Sequence, residues 1–166
     1  MNTAYIICGP PGAGKTTHGN RLAVVKQAVF LDIDTVTEKM VRAGLKAAGH
    51  NPDDRDSSWF KTYFREPIYE TLFTIAKENL VVQDVVIVGP FTRELQDPNW
   101  LSKLEEQLGA DVEVHYVICP PELRRQRIIA RGEPRDLAKL DNWDDYQAYY
   151  GDEKPPVFDH RLIDNQ

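Results

Sequence analysis

Gly9-Pro10-Pro11-Gly12-Ala13-Gly14-Lys15-Thr16 decides the reading of this 166-residue chain. The octapeptide satisfies the pattern G-x-x-x-x-G-K-[ST]. Its glycines let the backbone curl without Cβ contacts, so that successive N–H groups face an anion. An apolar run at 4–8 precedes it and a helical pattern over 14–26 follows. The anion then sits at a helix N-terminus, where the helix dipole adds partial positive charge. Gly9, Pro10, Pro11, Gly12, Ala13 and Gly14 are expected to cradle the phosphates of ATP. Lys15 is expected to reach the β- and γ-phosphates, Thr16 to ligate Mg²⁺, and Thr17 to add a phosphate contact.

Outward from the loop, apolar runs alternate with longer amphipathic stretches. Strands are expected at 4–8, 29–32, 85–89, 112–119 and, shorter and more polar, 158–164. Val85-Val86-Ile87-Val88 is apolar throughout, which suits a parallel strand covered on both faces. Helices are expected at 14–26, 34–48, 57–80, 99–108 and 121–131. Pro67 should kink or divide the third. Asp97-Pro98 reads as a cap and first-turn proline for the fourth, with Gly109 and Gly132 as stops for the last two. The βα alternation specifies an open α/β sheet in a single domain spanning 1–166. No repeat or linker interrupts it. Residues 49–58 form the clearest irregular segment, and because one domain leaves little room for a separate specificity domain, acceptor specificity is expected in 49–66 and the flap. A polar and aromatic stretch, 132–156, carries Trp143, Tyr146, Tyr149 and Tyr150 and reads as a flap.

Ligands of such sheets lie beyond the carboxyl ends of the strands. The second strand ends Asp32-Ile33-Asp34. Phosphoryl transfer needs a group that orients or deprotonates the attacking hydroxyl, and Asp34 is the candidate. It also stands where a helix cap is expected. Asp32 is the candidate Mg²⁺ partner beside Thr16. After the third strand, where a motor ATPase carries an aspartate, stands Gly89-Pro90; Arg93 follows as a candidate substrate contact, as does Arg65 on the third helix. After the fourth strand, Arg124, Arg127 and Arg131 fall on one helix face by their spacing, with Arg135 beyond. Their planar guanidinium forks suit phosphate. Arg127 and Arg131 are the candidates to close over ATP.

Composition sets the outer limits. Lys and Arg number 20, Asp and Glu 26, for a net charge of −6. That balance disfavours non-specific nucleic-acid binding but not local phosphate binding. No apolar run approaches the ~18 residues of a membrane span. The first residues lack a basic stretch, so a cytoplasmic protein without membrane attachment is expected. Cys8 and Cys119 each follow a β-branched run and read as buried thiols. His18 reads as a surface residue, and the other three histidines lack ligand spacing.

In these motifs the chain resembles the small P-loop kinases: polynucleotide, gluconate and adenylylsulfate kinases, zeta-toxin-like proteins, and single-domain ATP-binding proteins labelled AAA. Gly9 to Thr16 matches the phosphate loop directly. Leu31-Asp32-Ile33-Asp34 is similar to the Leu-Asp-Gly-Asp of gluconate and adenylylsulfate kinases. Arg127 and Arg131-Gly132 resemble the lid arginines of the group. The resemblance implies a three-layer P-loop NTPase fold, with a five-stranded parallel sheet in the order 2-3-1-4-5. It also implies a small helical lid at about 121–150. It makes Asp34 the counterpart of the hydroxyl-activating aspartate. It implies an ATP- and Mg²⁺-dependent kinase acting on a hydroxyl of a small molecule; a monomer or weak dimer is expected. The alternatives are a polynucleotide 5′-hydroxyl kinase and a non-catalytic ATP-binding or ATPase module. Against the first, the polynucleotide kinase arginine three residues past the aspartate is Thr37 here. A GTP switch is disfavoured because no Asn-Lys-x-Asp motif is present.

Overall fold

The computed structural model describes residues 1–151 and 154–166, apart from the side chains of 149–151. Tyr149 and Tyr150 of the aromatic stretch thus lie outside the described side chains. Five strands, β1 (Thr3–Cys8), β2 (Val29–Asp32), β3 (Val85–Val88), β4 (Asp111–Ile118) and β5 (Arg161–Asp164), form one sheet. Their order is β2-β3-β1-β4-β5, and every pairing is parallel. In the central register Ile6 stands between Ile87 and Val114. The order is the one that the kinase resemblance implies.

The period-two alternation of β1 explains the three layers. Ala4, Ile6 and Cys8 face a core completed by Leu72, Phe73 and Ala76 of α4 (Arg65–Leu80) and by Trp100, Leu104 and Leu108 of α5 (Trp100–Leu108). Tyr5 and Ile7 face the other side, where Ala23 of α1 (Lys15–Lys26) packs. Each buried Leu or Phe contributes about 1.5–3 kcal/mol. Cys8 and Cys119 are both buried and unbridged. Burial pushes the Cys8 thiol up to about 12, so it stays protonated and inert.

A third, smaller cluster shapes the site. Val41 and Leu45 of α2 (Ile33–Ala47) pack with Phe60 of α3 (Ser58–Tyr63), and Phe64 and Ile68 close it. The sequence places one kinked helix over 57–80. The structure divides it at Phe64, between α3 and α4. Pro67 is the third residue of α4, where a missing N–H breaks no bond because the first turn has no intrahelical acceptor. The fourth helix also starts later than its cap signal implies. Asp97 accepts from Asn99 N–H at 2.9 Å and caps the turn ahead of α5. At the C-terminal edge only Arg161–Asp164 pairs, while Phe158 packs its ring 5.9 Å from Trp100. Beyond α6 (Pro121–Arg131) lie a 3-10 turn at Pro134–Asp136, α7 (Leu137–Asp141) and α8 (Trp143–Gly151).

His18 is not a simple surface residue. Its Nε2 meets Nδ1 of buried His115 at 2.8 Å, and His115 Nε2 meets Glu113 Oε1 at 2.7 Å. This chain ties α1, one turn past the phosphate loop, to β4. Burial, then the neighbouring His115, Arg21 and Arg161, lower the His18 pKa below its ordinary 6.5. The unfolded chain therefore takes up this proton first as pH falls. The stabilisation is complete above pH 6.5 and is lost as pH drops through the lower folded value. Urea midpoints measured from pH 8 to 5.5 should decline, and His18→Gln should flatten the decline. An equally steep profile in the variant would refute the assignment.

Candidate functional site

The phosphate loop closes on close backbone approaches. Gly14 has φ +96°, and a Cβ there would stand 2.0 Å from Asn165 Nδ2. Asn165, just past β5, donates to Ala13 O at 2.8 Å. A Cβ on Gly9 would meet Val117 O at 2.2 Å. The last two strands thus hold the loop from behind. Gly9, Pro10 and Ala13 are buried there and do not line the cavity in front. That cavity, of about 860 Å³, is lined by Pro11, Gly12, Gly14, Lys15, Thr16 and Thr17.

Asp32, Asp34, Arg65, Arg93, Arg127 and Arg131, also assigned from sequence, open on the same cavity. One carboxylate organises its floor. Asp32 Oδ2 accepts from Thr16 Oγ1 at 2.7 Å, while Oδ1 accepts from Asp34 N–H at 3.0 Å. Asp32, not Asp34, is therefore the cap of α2. A single side chain fastens the start of α1 to the start of α2. Asp34 falls in the first turn of α2, half exposed, where it makes an ion pair of 2.9 Å with Arg135. Glu38, one turn on, lies 3.5 Å from the same guanidinium. Burial disfavours the Arg135 charge, but Asp34 and Glu38 outweigh it and raise its pKa.

The arginines divide by partner. Arg127 Nη1 donates to Ala13 O and Cys119 Sγ, both at 3.3 Å, so its guanidinium braces the loop. Arg131 grips buried Asp136 with Nε at 2.6 Å and Nη2 at 2.8 Å, and Lys139 joins at 3.0 Å. Burial opposes the Asp136 charge, yet the Arg131 hydrogen bonds and Lys139 hold its pKa below the usual range. Arg124 departs from the face that its spacing implies. It is fully buried and off the cavity, in the first turn of α6 directly beneath the loop. Its carbonyl lies 2.7 Å from where a Gly12 Cβ would stand. Arg65 pairs with Glu94 at 2.7 Å and stacks 4.9 Å from the Tyr69 ring. Lys15 Nζ donates to Pro10 O at 3.0 Å. Burial lowers its pKa to about 8, against the raising pull of Asp34.

Where the third strand ends, an aromatic plug takes the place of an acid. Phe91 is fully buried at φ +45°, stacked on Phe73 and packed at a tilt against Tyr69 and Trp100. Charged cavity residues that escaped the sequence reading include Glu38, Lys139 and Arg55. Glu38 is four residues past Asp34, so helical spacing alone places the two carboxylates on one face. Arg55 lies within 49–66, the stretch expected to carry acceptor specificity, but nothing local marks that residue among its neighbours.

A phosphate loop at the carboxyl edge of a 2-3-1-4-5 parallel sheet, faced by an acidic strand end and an arginine helix, defines a small P-loop kinase fold. Residues 5–153 match the model of the AAA domain family AAA_33, and the chain belongs to that family. Solved structures share the architecture. A sugar kinase from Janibacter sp. HTCC2649 is 16% identical over 99% of this chain and 86% of its own, with a TM-score of 0.63. Shikimate kinase from Bacteroides thetaiotaomicron is also 16% identical over 99% and 86%, at 0.59. A gluconokinase from Sinorhizobium meliloti 1021 is 14% identical over 99% and 82%, at 0.54. No match was found among curated proteins. No helix among the described residues is long and apolar enough to cross a membrane.

Proposed function

We propose that the chain is an ATP-dependent kinase that transfers the γ-phosphoryl group to a hydroxyl of a small molecule. The observation that carries this reading is the Asp32 bridge. By bonding Thr16 and capping α2 at once, it brings the phosphate loop and Asp34 to the lining of one cavity. A nucleotide phosphate on the loop and a hydroxyl at Asp34 would share one enclosed space. Neighbours of this fold that are named for sugar, shikimate and gluconate phosphorylation support a small-molecule acceptor.

In the proposed reaction the acceptor oxygen attacks the γ-phosphorus in line. The bond to the β–γ bridging oxygen breaks and ADP leaves. Asp34 orients the hydroxyl and takes its proton. Lys15 and the loop N–H groups hold the β- and γ-oxygens, and Arg127 fixes the loop that presents them. The segment that follows α6 acts as a lid over ATP, with α6 packed beneath the loop as its base. Arg131 is set by Asp136 to face the transferring group, and Arg135 docks the lid on Asp34 and Glu38. The Thr16 hydroxyl and Asp32 carboxylate, 2.7 Å apart, are hard oxygen donors that fit Mg²⁺. When bound, Mg²⁺ supplies charge that neutralises the phosphate oxygens.

Purified protein with labelled ATP, Mg²⁺ and a panel of sugars, hydroxy acids, sugar phosphates, nucleosides and 5′-hydroxyl oligonucleotides should label a small molecule. Labelling of the oligonucleotides alone would overturn the small-molecule reading. Nucleotide binding without transfer to any member would favour an ATP-binding module.

A further inference from the structure

Nine cationic and five acidic side chains line the cavity, in a chain whose net charge is −6. Most of the cations are already committed. Lys15 and Arg127 belong to the phosphate loop, Arg131 and Lys139 to Asp136, Arg65 to Glu94, and Arg135 to Asp34 and Glu38. Among the described residues no carboxylate pairs with Arg55, Lys61 or Arg93. Lys61 and Arg93 are exposed and can point into water. Arg55 is different.

A hydrogen-bonded segment between α2 and α3 frames Arg55. Asn51 accepts from Asp53 N–H at 2.9 Å, and Asp54 accepts from the N–H groups of Asp56 and Ser57 at 3.1 and 3.0 Å. Asp53 is tied to α2 through Arg42. Ser57 caps α3 by accepting from Phe60 N–H at 3.0 Å. Within this frame Arg55 Nη1 donates to Pro52 O at 3.0 Å and Asp54 O at 2.8 Å, and its guanidinium lies 5.4 Å from the Phe60 ring centre. Its Nη2 is buried and has no hydrogen-bond partner. A buried guanidinium donor without an acceptor is costly, and a charged one more so. Burial correspondingly holds the Arg55 pKa below the ordinary value, with Glu38 acting against the shift. The remaining electrostatic neighbours are Arg135, Asp34 and Asp53. Arg55 lines the same cavity as Asp34 and Glu38.

We infer that Arg55 is the binding residue for an oxyanion on the acceptor, a carboxylate or a phosphate, and so restricts the substrate class to hydroxylated anions. This rests on the reading of the cavity as a kinase site. Nη2 is shielded in the free protein, so binding turns the guanidinium toward the cavity, where an oxyanion supplies the acceptor atom that Nη2 lacks; guanidinium–oxyanion hydrogen bonds are among the stronger ones. Anchored there, the substrate has its hydroxyl placed toward Asp34 while its charge stays clear of the ATP phosphates on the loop. Neutral sugars would leave the donor unsatisfied, which is how a buried polar group enforces selectivity.

The test is equilibrium binding to the full chain saturated with Mg²⁺ and a non-hydrolysable ATP analogue, so that the phosphate loop is already filled. Three probes share one carbon skeleton: glucose, gluconate and glucose 6-phosphate. At least one anion should bind at least ~10-fold more tightly than glucose. Arg55→Gln should remove that preference, and Arg55→Lys should keep part of it. Whether gluconate or glucose 6-phosphate wins identifies carboxylate or phosphate. In transfer assays with the anion that binds, Arg55→Gln should raise KM for the acceptor by roughly 10–100-fold and leave KM for ATP within about twofold. Equal binding of glucose, no anion binding, or an Arg55→Gln variant with undiminished anion affinity would overturn the inference. The two readings fail separately. Anion binding through Arg55 without transfer sinks the kinase assignment alone, and transfer to a neutral acceptor indifferent to Arg55 sinks the anion site alone.

Discussion

Lys15→Met is expected to lower kcat/KM for phosphoryl transfer by about 10³-fold or more and to weaken ATP binding. Met keeps the length and apolar stem of the side chain but removes its charge, so the loss reads the ammonium itself. Lys15 is set for this role before nucleotide arrives. Its Nζ is held at Pro10 O, inside the curve of the loop, and burial has lowered its pKa to about 8. The charge is thus poorly solvated and gains strongly from a phosphate. A pH signature follows. Phosphate favours the protonated amine, so wild-type affinity for ATP should be full below pH 8. Above it, affinity should fall, approaching tenfold per pH unit, until the raised pKa of the complex is reached. Calorimetric titration from pH 7 to 10 measures this, with proton uptake on binding near pH 8. The methionine variant should show no such slope in that range. A wild-type affinity flat to pH 10 would remove Lys15 from the phosphate site.

What the sequence made legible was local. The loop, its strand and its helix are contiguous, so spacing and residue type define them; apolar runs mark four strands within a residue or two, and a more polar stretch marks the fifth within a few. The strand order came through resemblance, because no local pattern orders parallel strands. The site was harder wherever a role depends on a partner distant in sequence. Asp32 and Asp34 are two residues apart, and either is a plausible cap. The choice is made by Thr16, whose hydroxyl reaches Asp32. Arg135 was grouped with the ATP-facing arginines. It instead meets Asp34 and Glu38, about a hundred residues away. Arg124 shares its spacing with Arg127 and Arg131, yet a helix face seen in projection does not say which turn lies under the loop. His18 and His115 show the same limit, since two histidines 97 residues apart in sequence carry no metal-ligand spacing but share one hydrogen bond. Pro67 misled in the opposite direction. A proline breaks a helix only from the fourth residue on, and the real break comes earlier, at Phe64.

Asp34→Asn is expected to reduce kcat for transfer by about 10²–10⁴-fold, the usual worth of a positioned general base, while ATP affinity stays within a few-fold. The substitution is nearly isosteric and keeps a hydrogen-bonding group toward the acceptor, but it cannot take the proton. Structural side effects should be small, for two reasons visible in the geometry. The α2 cap belongs to Asp32, so the helix start does not depend on Asp34. The ion pair with Arg135 involves a half-exposed carboxylate, and such pairs contribute at most ~1 kcal/mol. The thermal midpoint of Asp34→Asn should therefore remain within a few degrees of wild type. Arg135→Gln separates proton transfer from lid docking. It leaves the carboxylate in place but unbinds it from the lid, so kcat should fall by only about tenfold. If Asp34→Asn lost no more than Arg135→Gln, the carboxylate would be acting as the lid's docking point and not as the base. If Asp34→Asn retained full transfer, the hydroxyl would have to be activated elsewhere in the cavity. Glu38, one helical turn further and opposite the same guanidinium, is the residue to replace next.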